Sequence, residues 1–179
     1  MNSEFRIQNS EFQKLAFIAL GSNLGDSRKI LSEALARLES FSATPIIKSS
    51  LWQTSPVGCP PGSPKFLNAV VAFDPLADET PESLLEKLQA LEKEFGRQTK
   101  KVLNEPRPLD LDLIAFGTEA RSLPDLILPH PRAHTRRFVL QPLCEIAPDL
   151  VLPGQARTAA QLLAGLDGSE SCGEIPPAG

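Results

Sequence analysis

Two aspartates two residues apart, Asp110 and Asp112, are the residues of this sequence best suited to metal chemistry. From Leu109 to Leu113 apolar and acidic residues alternate, which is typical of a β-strand whose successive side chains point to opposite faces. Both carboxylates would then lie on one face, about 7 Å apart. Oxygen ligands in this number suit Mg²⁺, which binds through one or two carboxylates together with substrate phosphates. For an isolated pair, two surface acids on a solvated strand remain the alternative.

A cation-rich connection leads directly into this strand. Its positive residues are Arg97, Lys100, Lys101 and Arg107. Cations beside two acids form the arrangement that a metal-bound polyphosphate requires, although a solvated loop with incidental charges would show the same composition. A second basic group, residues 130–138, holds both histidines of the chain, His130 and His134.

A single amide interrupts the apolar run Phe66–Phe73, which has the composition of a β-strand. A buried amide must find hydrogen-bond partners, so Asn68 specifies what it contacts: either a substrate or, as the alternative, the preceding loop. That loop, residues 55–64, is rich in glycine and proline and is long enough to act as a lid. Residues 21–26 are predicted to form a second glycine-containing turn. Because they lack the Gly-Lys-Ser/Thr ending of a P-loop, the sequence favours a plain tight turn over a phosphate-binding loop.

The composition indicates one globular domain. With 179 residues, 41% of them hydrophobic and 22% charged, the chain can bury a sizeable core. A formal net charge of −4 argues against non-specific nucleic-acid binding. Three cysteines without metal-ligand spacing indicate a reduced compartment. No run of about 18 apolar residues is present, so we expect a cytoplasmic protein with no membrane partner.

The order of predicted elements indicates an α+β fold. We expect strands over 17–20, 46–54, 66–73 and 109–113, with helices over 30–38, capped by Asp26 or Ser27, and from Thr80 to Gly96. This βαββαβ order predicts a ferredoxin-like sandwich, an antiparallel sheet with both helices on one face and the Asp110/Asp112 face left for a site. Two helices, over 139–146 and 159–166, would be C-terminal additions. We further expect a mobile extension over 1–14, a single catalytic domain over 15–167 and a disordered tail over 168–179.

Four separated blocks resemble one family, the 6-hydroxymethyl-7,8-dihydropterin pyrophosphokinases of folate biosynthesis. They occur in the family's order over roughly residues 17–153, and the third carries the family signature. The blocks are Ile18–Asp26, Thr54–Gly58 with Phe66–Ala69, Arg107–Asp112, and Leu128–Arg132 with Arg136–Leu140.

The resemblance implies a transfer of pyrophosphate from ATP to the hydroxymethyl group of a reduced pterin, with release of AMP. By position, it places two Mg²⁺ ions on Asp110 and Asp112 and a catalytic role on these acids with Arg97 and Arg107. The pterin would contact Thr54, Val57, Phe66, Asn68 and Phe138. ATP would contact Gln89, Glu92, Arg97, Arg107, Leu113, His130 and Arg136. It further implies small-molecule substrates, no nucleic-acid partner and a monomer.

The sequence departs from the family in the cation-rich loop. Thr99 stands where a further arginine is usual, and Asn104 and Glu105 replace a tryptophan-glycine pair. Because this loop closes over ATP in the family, the departures concern closure of the loop, and the metal and pterin positions are unchanged.

Two other readings are open on the residues alone. A non-catalytic ferredoxin-like module could bind a nucleotide or RNA through the basic segments, but it would need exposed aromatic residues on the sheet, and the chain has no tyrosine. A Mg²⁺-dependent polymerase or nuclease palm also places acids on strands, but would be larger and more acidic. Of the three readings, only the pyrophosphokinase predicts a pterin site.

Overall fold

One antiparallel sheet organises the computed structural model, which describes residue 7 and residues 10–98 and 103–176. The strands are β1 Ala16–Ser22, β2 Ile47–Lys48, β3 Leu51–Thr54, β4 Phe66–Phe73, β5 Asp110–Phe116, β6 Arg121–Leu123, β7 Leu126–Leu128 and β8 Cys172–Ile175. The main sheet runs β5-β1-β4-β3-β8, with β2 also paired to β4. Strands β6 and β7 form a separate two-stranded hairpin. The predicted strands are confirmed, except that the strand expected over 46–54 is divided into β2 and β3.

The helices are α1 Ser27–Leu38, α2 Pro81–Glu94, α3 Arg137–Ile146 and α4 Ala159–Ala164. The first two begin where the sequence places their caps. The side chain of Asp26 accepts a hydrogen bond from the backbone of Lys29, and Thr80 forms a reciprocal capping box with Ser83. In chain order, β1, α1, the β2/β3 pair, β4, α2 and β5 give the predicted βαββαβ arrangement.

The two faces of the sheet are covered differently from our expectation. Helices α1 and α2 pack on one face, where Leu31 and Leu88 share a core cluster with Leu111. The other face is also covered over part of its area, because Val139 of α3 and Leu162 of α4 share a second cluster with Ile114. The strong apolar face of α3, which contains Leu140 and Leu143, requires this burial.

The uncovered remainder of the second face is the part that matters for a site. Asp110, Asp112 and Ile114 alternate with buried leucines along β5, so the three residues point to the same side. Ile114 lies beneath α3, whereas both acids remain half-buried. The sheet therefore places its acidic end beside the edge of the α3 layer.

The chain termini differ from the sequence-based expectation. In the predicted mobile extension, Ile7 donates a 3.0 Å hydrogen bond to Ile146, and Phe12 is buried at an edge-to-face contact with Phe17. Apolar burial therefore ties this segment to the core. In the predicted disordered tail, residues 172–175 form β8 on the open edge of β3, because backbone pairing needs no apolar side-chain pattern. None of the described helices is both long enough and apolar enough to cross a membrane.

Candidate active site

A row of three residues in register crosses the open part of the sheet. Gly21 on β1 pairs with Asp110 on β5 on one side and with Asn68 on β4 on the other. Since neighbouring strands lie about 5 Å apart, the acid and the amide are separated by about 10 Å. Both side chains point to the face that α3 leaves uncovered, so they can contact different parts of one small ligand.

The absence of a side chain at Gly21 keeps the space between them open. A Cβ atom at this position would lie 3.2 Å from Asn68 Oδ1, 3.7 Å from the Phe66 ring and 4.0 Å from the Asp110 Cβ. A methyl group would therefore crowd the amide. Glycine here serves a close approach between strand and ligand.

The orientation of the Asn68 amide is fixed by a neighbouring strand. Its Nδ2 donates a 2.6 Å hydrogen bond to Thr54 Oγ1, and both residues are buried. With the amide nitrogen engaged, Oδ1 is the atom turned toward Gly21, as the Cβ distance shows. Asn68 therefore presents an acceptor to the open face.

Two aromatic rings, each with an arginine beside it, flank this region. The Arg107 guanidinium lies 5.7 Å from the centroid of Phe66, and that of Arg136 lies 5.3 Å from the centroid of Phe138. Both distances suit a cation–π contact. Flat apolar surfaces beside guanidinium groups are suited to a ligand with a planar ring and an anionic part.

These residues enclose a cavity of about 250 Å³. Its walls include all five predicted pterin residues and, of the predicted metal and phosphate residues, Arg107, Asp110, Asp112 and Arg136. The remaining lining residues are Ala19, Leu20, Gly21, Ser55, Gly58, Cys59, Asn104, Arg132 and Glu170. The structure thus brings together residues from strands β1, β3, β4 and β5, from helix α3 and from four connecting segments.

Asp110 is neutralised by the two arginines that sequence reasoning placed near it. Arg97 donates a 2.6 Å hydrogen bond to Asp110 Oδ1, and Arg107 Nε lies 3.4 Å from Oδ2. Arg97 also pairs with Glu92. In this state the arginines balance the charge of the acid, and a polyphosphate with its metal would compete for both partners.

Asp112 has no such partner. No described residue donates a hydrogen bond to its carboxylate or forms an ion pair with it, and burial, reinforced by the nearby charge of Asp110, raises its pKa. An unpartnered carboxylate beside a second one fits a hard divalent cation. Within the described residues no cluster of three or more His, Cys, Asp or Glu side chains could hold a metal alone. The other ligands of such a cation would have to be phosphate oxygens and water.

The remaining predicted ATP residues surround β5 without lining the cavity. Gln89 is exposed on α2, and Leu113 points its side chain into the α1/α2 core. Glu92 is buried, and its Oε1 accepts a 2.7 Å hydrogen bond from the backbone N–H of Leu111, between the two acids. Burial raises the pKa of Glu92 to about 7, against the opposing effects of this N–H and of Arg97. Glu92 therefore braces the edge of β5.

His130 lies on the same edge in its neutral form. Its backbone N–H donates a 2.8 Å hydrogen bond to Ile114, and its Nδ1 accepts one of 3.2 Å from the Arg132 N–H. Burial first, and then the charges of Arg136 and Arg132, lower its pKa to about 4. Because Nδ1 is an acceptor, Nε2 carries the proton and is available as a donor.

Sequence reasoning missed several residues that shape the site. Two hydrogen bonds join Asn23 to the backbone of Arg107. The Asn23 N–H donates to Arg107 O at 3.1 Å, and Asn23 Oδ1 accepts from the Arg107 N–H at 2.9 Å. Arg132 lines the cavity. Burial is the main reason that the pKa of Arg136 is lowered, and the positive charge of Arg132 lowers it further. Asn23 and Arg132 belong to segments that the sequence analysis singled out, 21–26 and 130–138. Only the fold shows that they lie close to Arg107 and Arg136.

The loop in which the sequence departs from the family is described in part. Thr99 lies outside the described residues. Asn104 has a φ of +55°, a left-handed conformation that asparagine tolerates better than most residues. Its Nδ2 donates a 2.8 Å hydrogen bond to the carbonyl of Gly58, so it joins the cation-rich loop to the loop 55–64 in the cavity wall.

Sequence comparisons find known proteins that are similar to this chain. The model of the family described as 7,8-dihydro-6-hydroxymethylpterin-pyrophosphokinase matches residues 17–148. The chain is 41% identical over 149 residues to the 2-amino-4-hydroxy-6-hydroxymethyldihydropteridine pyrophosphokinase of Pseudomonas aeruginosa, covering 83% of this chain and 89% of that protein. It is 43% identical over 133 residues to the Bacillus subtilis protein of the same name, covering 74% and 77%.

Solved structures support the fold. The wild-type HPPK-DHPS of Plasmodium falciparum superposes with a TM-score of 0.64 at 15% sequence identity, over 84% of this chain and 44% of that one. At this identity the likeness concerns the fold alone. It confirms the predicted ferredoxin-like architecture.

Proposed function

Because the chain belongs to the 7,8-dihydro-6-hydroxymethylpterin-pyrophosphokinase family, we propose that it transfers pyrophosphate from ATP to the hydroxymethyl group of a dihydropterin, giving the pterin diphosphate and AMP in folate biosynthesis. The single observation that carries the assignment to this cavity is the register of Asp110, Gly21 and Asn68. It supports a phosphate and metal side about 10 Å from the side that contacts the ring, a separation suited to a bicyclic ring with its reacting group at one end.

The pterin side of the proposal rests on five residues. The ring stacks between Phe66 and Phe138, and Asn68 Oδ1 accepts a hydrogen bond from a ring N–H. Thr54 holds the Asn68 amide in this orientation, and Val57 closes the pocket from the loop. The hydroxymethyl group then points along the sheet toward β5.

The metal side of the proposal rests on Asp110 and Asp112, which would hold Mg²⁺ between the protein and the phosphates; we propose two ions. When bound, magnesium would neutralise phosphate charge and lower the pKa of the substrate hydroxyl. The unpartnered carboxylate of Asp112 fits this role, and Asp110 can exchange its arginine partners for the cation.

The transfer forms one bond and breaks one. The hydroxyl oxygen of the pterin bonds to the β-phosphorus of ATP as the bridging bond to the α-phosphate breaks, so AMP leaves with the electron pair. Arg97, Arg107 and Arg136 stabilise the charge that develops between the β-phosphorus and the departing AMP. The hydroxyl proton leaves to a base, for which we propose Asp112, because its carboxylate lines the cavity and has no other partner among the described residues.

The nucleotide would lie along the free edge of β5. Glu92 and His130 already bind backbone groups on this edge, at Leu111 and Ile114. The side chain of Leu113 is buried in the core, so only its backbone can contact ATP, and it shares the outward edge with Leu111, two residues earlier. Gln89 is exposed nearby on α2. The triphosphate would then enter the cavity between Arg107 and Arg136.

The remaining assignments extend the proposal beyond the site. We propose one catalytic domain that takes in Phe12 and strand β8 beyond the predicted range 15–167, a monomer, a cytoplasmic location and no nucleic-acid partner. These rest on composition, charge and family resemblance.

The decisive experiment is a product analysis with the full chain, ATP, Mg²⁺ and 6-hydroxymethyl-7,8-dihydropterin. We expect AMP and the pterin diphosphate in equal amounts, and neither product when the pterin is omitted. Formation of ADP in place of AMP, or no product from folded protein, would contradict the assignment.

A further inference from the structure

The C-terminal segment returns to the cavity after the family match has ended. The match stops at residue 148, whereas β8 lies at residues 172–175 and pairs with β3 over four positions, from Leu51 opposite Ile175 to Thr54 opposite Cys172. The strand thus continues the sheet beyond the wall that contains Thr54. Its approach to the cavity is a feature of this chain that the matched region does not include.

Two anchors fix the segment before and after its closest approach. Arg137 Nη2 donates a 2.9 Å hydrogen bond to the carbonyl of Asp167. Further on, the N–H of Ser55 donates to the carbonyl of Ser171 at 3.3 Å, and their hydroxyl groups are hydrogen-bonded to each other. Arg137 precedes Phe138 in sequence and Ser55 follows Thr54, so each anchor adjoins a proposed pterin residue.

Glu170 lies between these anchors and lines the cavity. Its side chain is half-buried, and it forms neither a hydrogen bond nor an ion pair with any residue in the described part of the chain. The other carboxylates of the cavity, Asp110 and Asp112, belong to β5, at the opposite edge of the sheet. Glu170 therefore lies apart from the proposed metal and phosphate side of the cavity, and it makes no hydrogen bond or ion pair that would stabilise the described part of the fold.

The chemistry of the substrate supplies a partner for this carboxylate. A pterin carries its hydroxymethyl group on one ring and an amino group with one adjacent ring N–H on the other, at the far end of the molecule. If the hydroxymethyl group points to β5, the N–H groups point to β3 and β8. Adjacent N–H donors facing a carboxylate form charge-assisted hydrogen bonds, which are stronger than those to a neutral acceptor.

Building on the proposed function, we propose that Glu170 is a specificity-determining residue for the pterin. Its carboxylate accepts hydrogen bonds from the amino group and from the adjacent ring N–H of the pyrimidine ring. Strand β8 and the anchors at Arg137 and Ser55 hold it at the cavity wall. The C-terminal segment is in this way a part of the substrate site.

The test compares Glu170→Gln with Glu174→Gln in the full chain by steady-state kinetics. Glutamine keeps the shape of glutamate and removes the charge, and Glu174 is a matched control because it lies on β8 but outside the cavity. For E170Q we expect the KM for the pterin to rise on the order of tenfold, as for loss of a hydrogen bond to a charged group. The KM for ATP should stay unchanged, and E174Q should match the wild type.

A second substrate makes the test specific for recognition. An analogue with oxygen in place of the 2-amino group cannot donate at that position. The wild type should prefer the amino compound, and E170Q and Glu170→Ala should both lose most of this preference. A structural effect on β8 would instead weaken both compounds equally.

Several results would overturn the inference without touching the proposed function. These are a wild-type pterin KM in E170Q, equal effects in E170Q and E174Q, or an unchanged preference for the amino group. In each case the wild-type protein would still form AMP. Absence of AMP from the wild type would instead refute the function itself.

Discussion

Asn68 and Asp110 lie in register on opposite sides of Gly21, so an amide held by β3 and a carboxylate held by two arginines face one cavity from two strands. Under the proposed function, the pterin ring and the transferred phosphates would contact different strands of the same sheet. Catalysis by positioning requires such fixed distances between the reacting groups.

Replacing the unpartnered acid should separate catalysis from folding. We expect Asp112→Asn to lower kcat on the order of a thousandfold, because a metal ligand is worth several kcal/mol of transition-state stabilisation. The melting temperature should not fall, since Asp112 forms no ion pair or hydrogen bond with the described residues and burial disfavours its charge. Asp125→Asn, at an exposed position between β6 and β7, is the control. Undiminished turnover in D112N would refute the metal assignment.

A methyl group at the centre of the register row should obstruct the pterin. We expect Gly21→Ala to raise the KM for the pterin about tenfold, since overpacking costs about 1–3 kcal/mol and the new Cβ would lie 3.2 Å from Asn68 Oδ1. Gly173→Ala is the matched control on a strand, because nothing lies within 4 Å of a Cβ there. Equal kinetics for the two variants would show that the pterin does not pass over Gly21.

The hydrogen bond between Thr54 and Asn68 should affect how tightly the pterin ring is bound. Thr54→Val keeps the shape of the side chain but removes the acceptor of the 2.6 Å hydrogen bond. We expect a pterin KM about tenfold higher and a free energy of unfolding lower by about 1–2 kcal/mol, because a buried amide N–H loses its partner. Thr54→Ser retains the hydroxyl and should stay near the wild type in pterin KM. A wild-type KM in T54V would argue against Asn68 as a ring reader.

The neutral state of His130 should make stability depend on pH. Its pKa is about 4 in the folded protein against an ordinary value of 6.5, so between these values the unfolded state binds more protons. Stability from this group is therefore full above pH 6.5 and is lost as the pH falls toward 4. Urea unfolding of the wild type at pH 7.5 and pH 4.5 should show this loss. In His130→Gln the fall in the free energy of unfolding between the two pH values should be smaller by on the order of 1 kcal/mol, after allowance for solvent screening.

The control for this experiment is His134→Gln, the other histidine of the chain. It should show the same fall in stability with pH as the wild type. If H130Q and the wild type lose stability in parallel between pH 6.5 and 4, the half-buried imidazole of His130 does not have the lowered pKa that its surroundings indicate.

The local elements of the fold could be predicted because their signals are local. Thr80 and Pro81 begin a helix by capping chemistry, and alternation around Asp110 and Asp112 defines a strand. The burial of Phe12 and the pairing of residues 172–175 could not be predicted in this way. Both depend on partners far away in the sequence, the core beside Phe17 and the free edge of β3.

The residues of the site likewise fall into those with a local sequence signal and those without one. Asp110, Asp112 and Asn68 stood out as polar residues in apolar strands, and the structure places them on one cavity. Gly21 and Asn23 gave no such signal, because a missing side chain and a backbone-binding amide matter only through what lies across from them. Glu170 was hidden in a polar, glycine- and serine-rich tail, where one acid resembles any other.

The position of Trp52 gives this protein a built-in optical reporter. It is the only tryptophan in a chain that has no tyrosine, so its indole dominates the intrinsic fluorescence. It pairs with Asn68 in the sheet, and its Nε1 donates a 3.1 Å hydrogen bond to Glu145 on α3. The emission of this single indole therefore comes from the wall between the α3 layer and the ring-reading amide, and ligand binding can be followed there without a label.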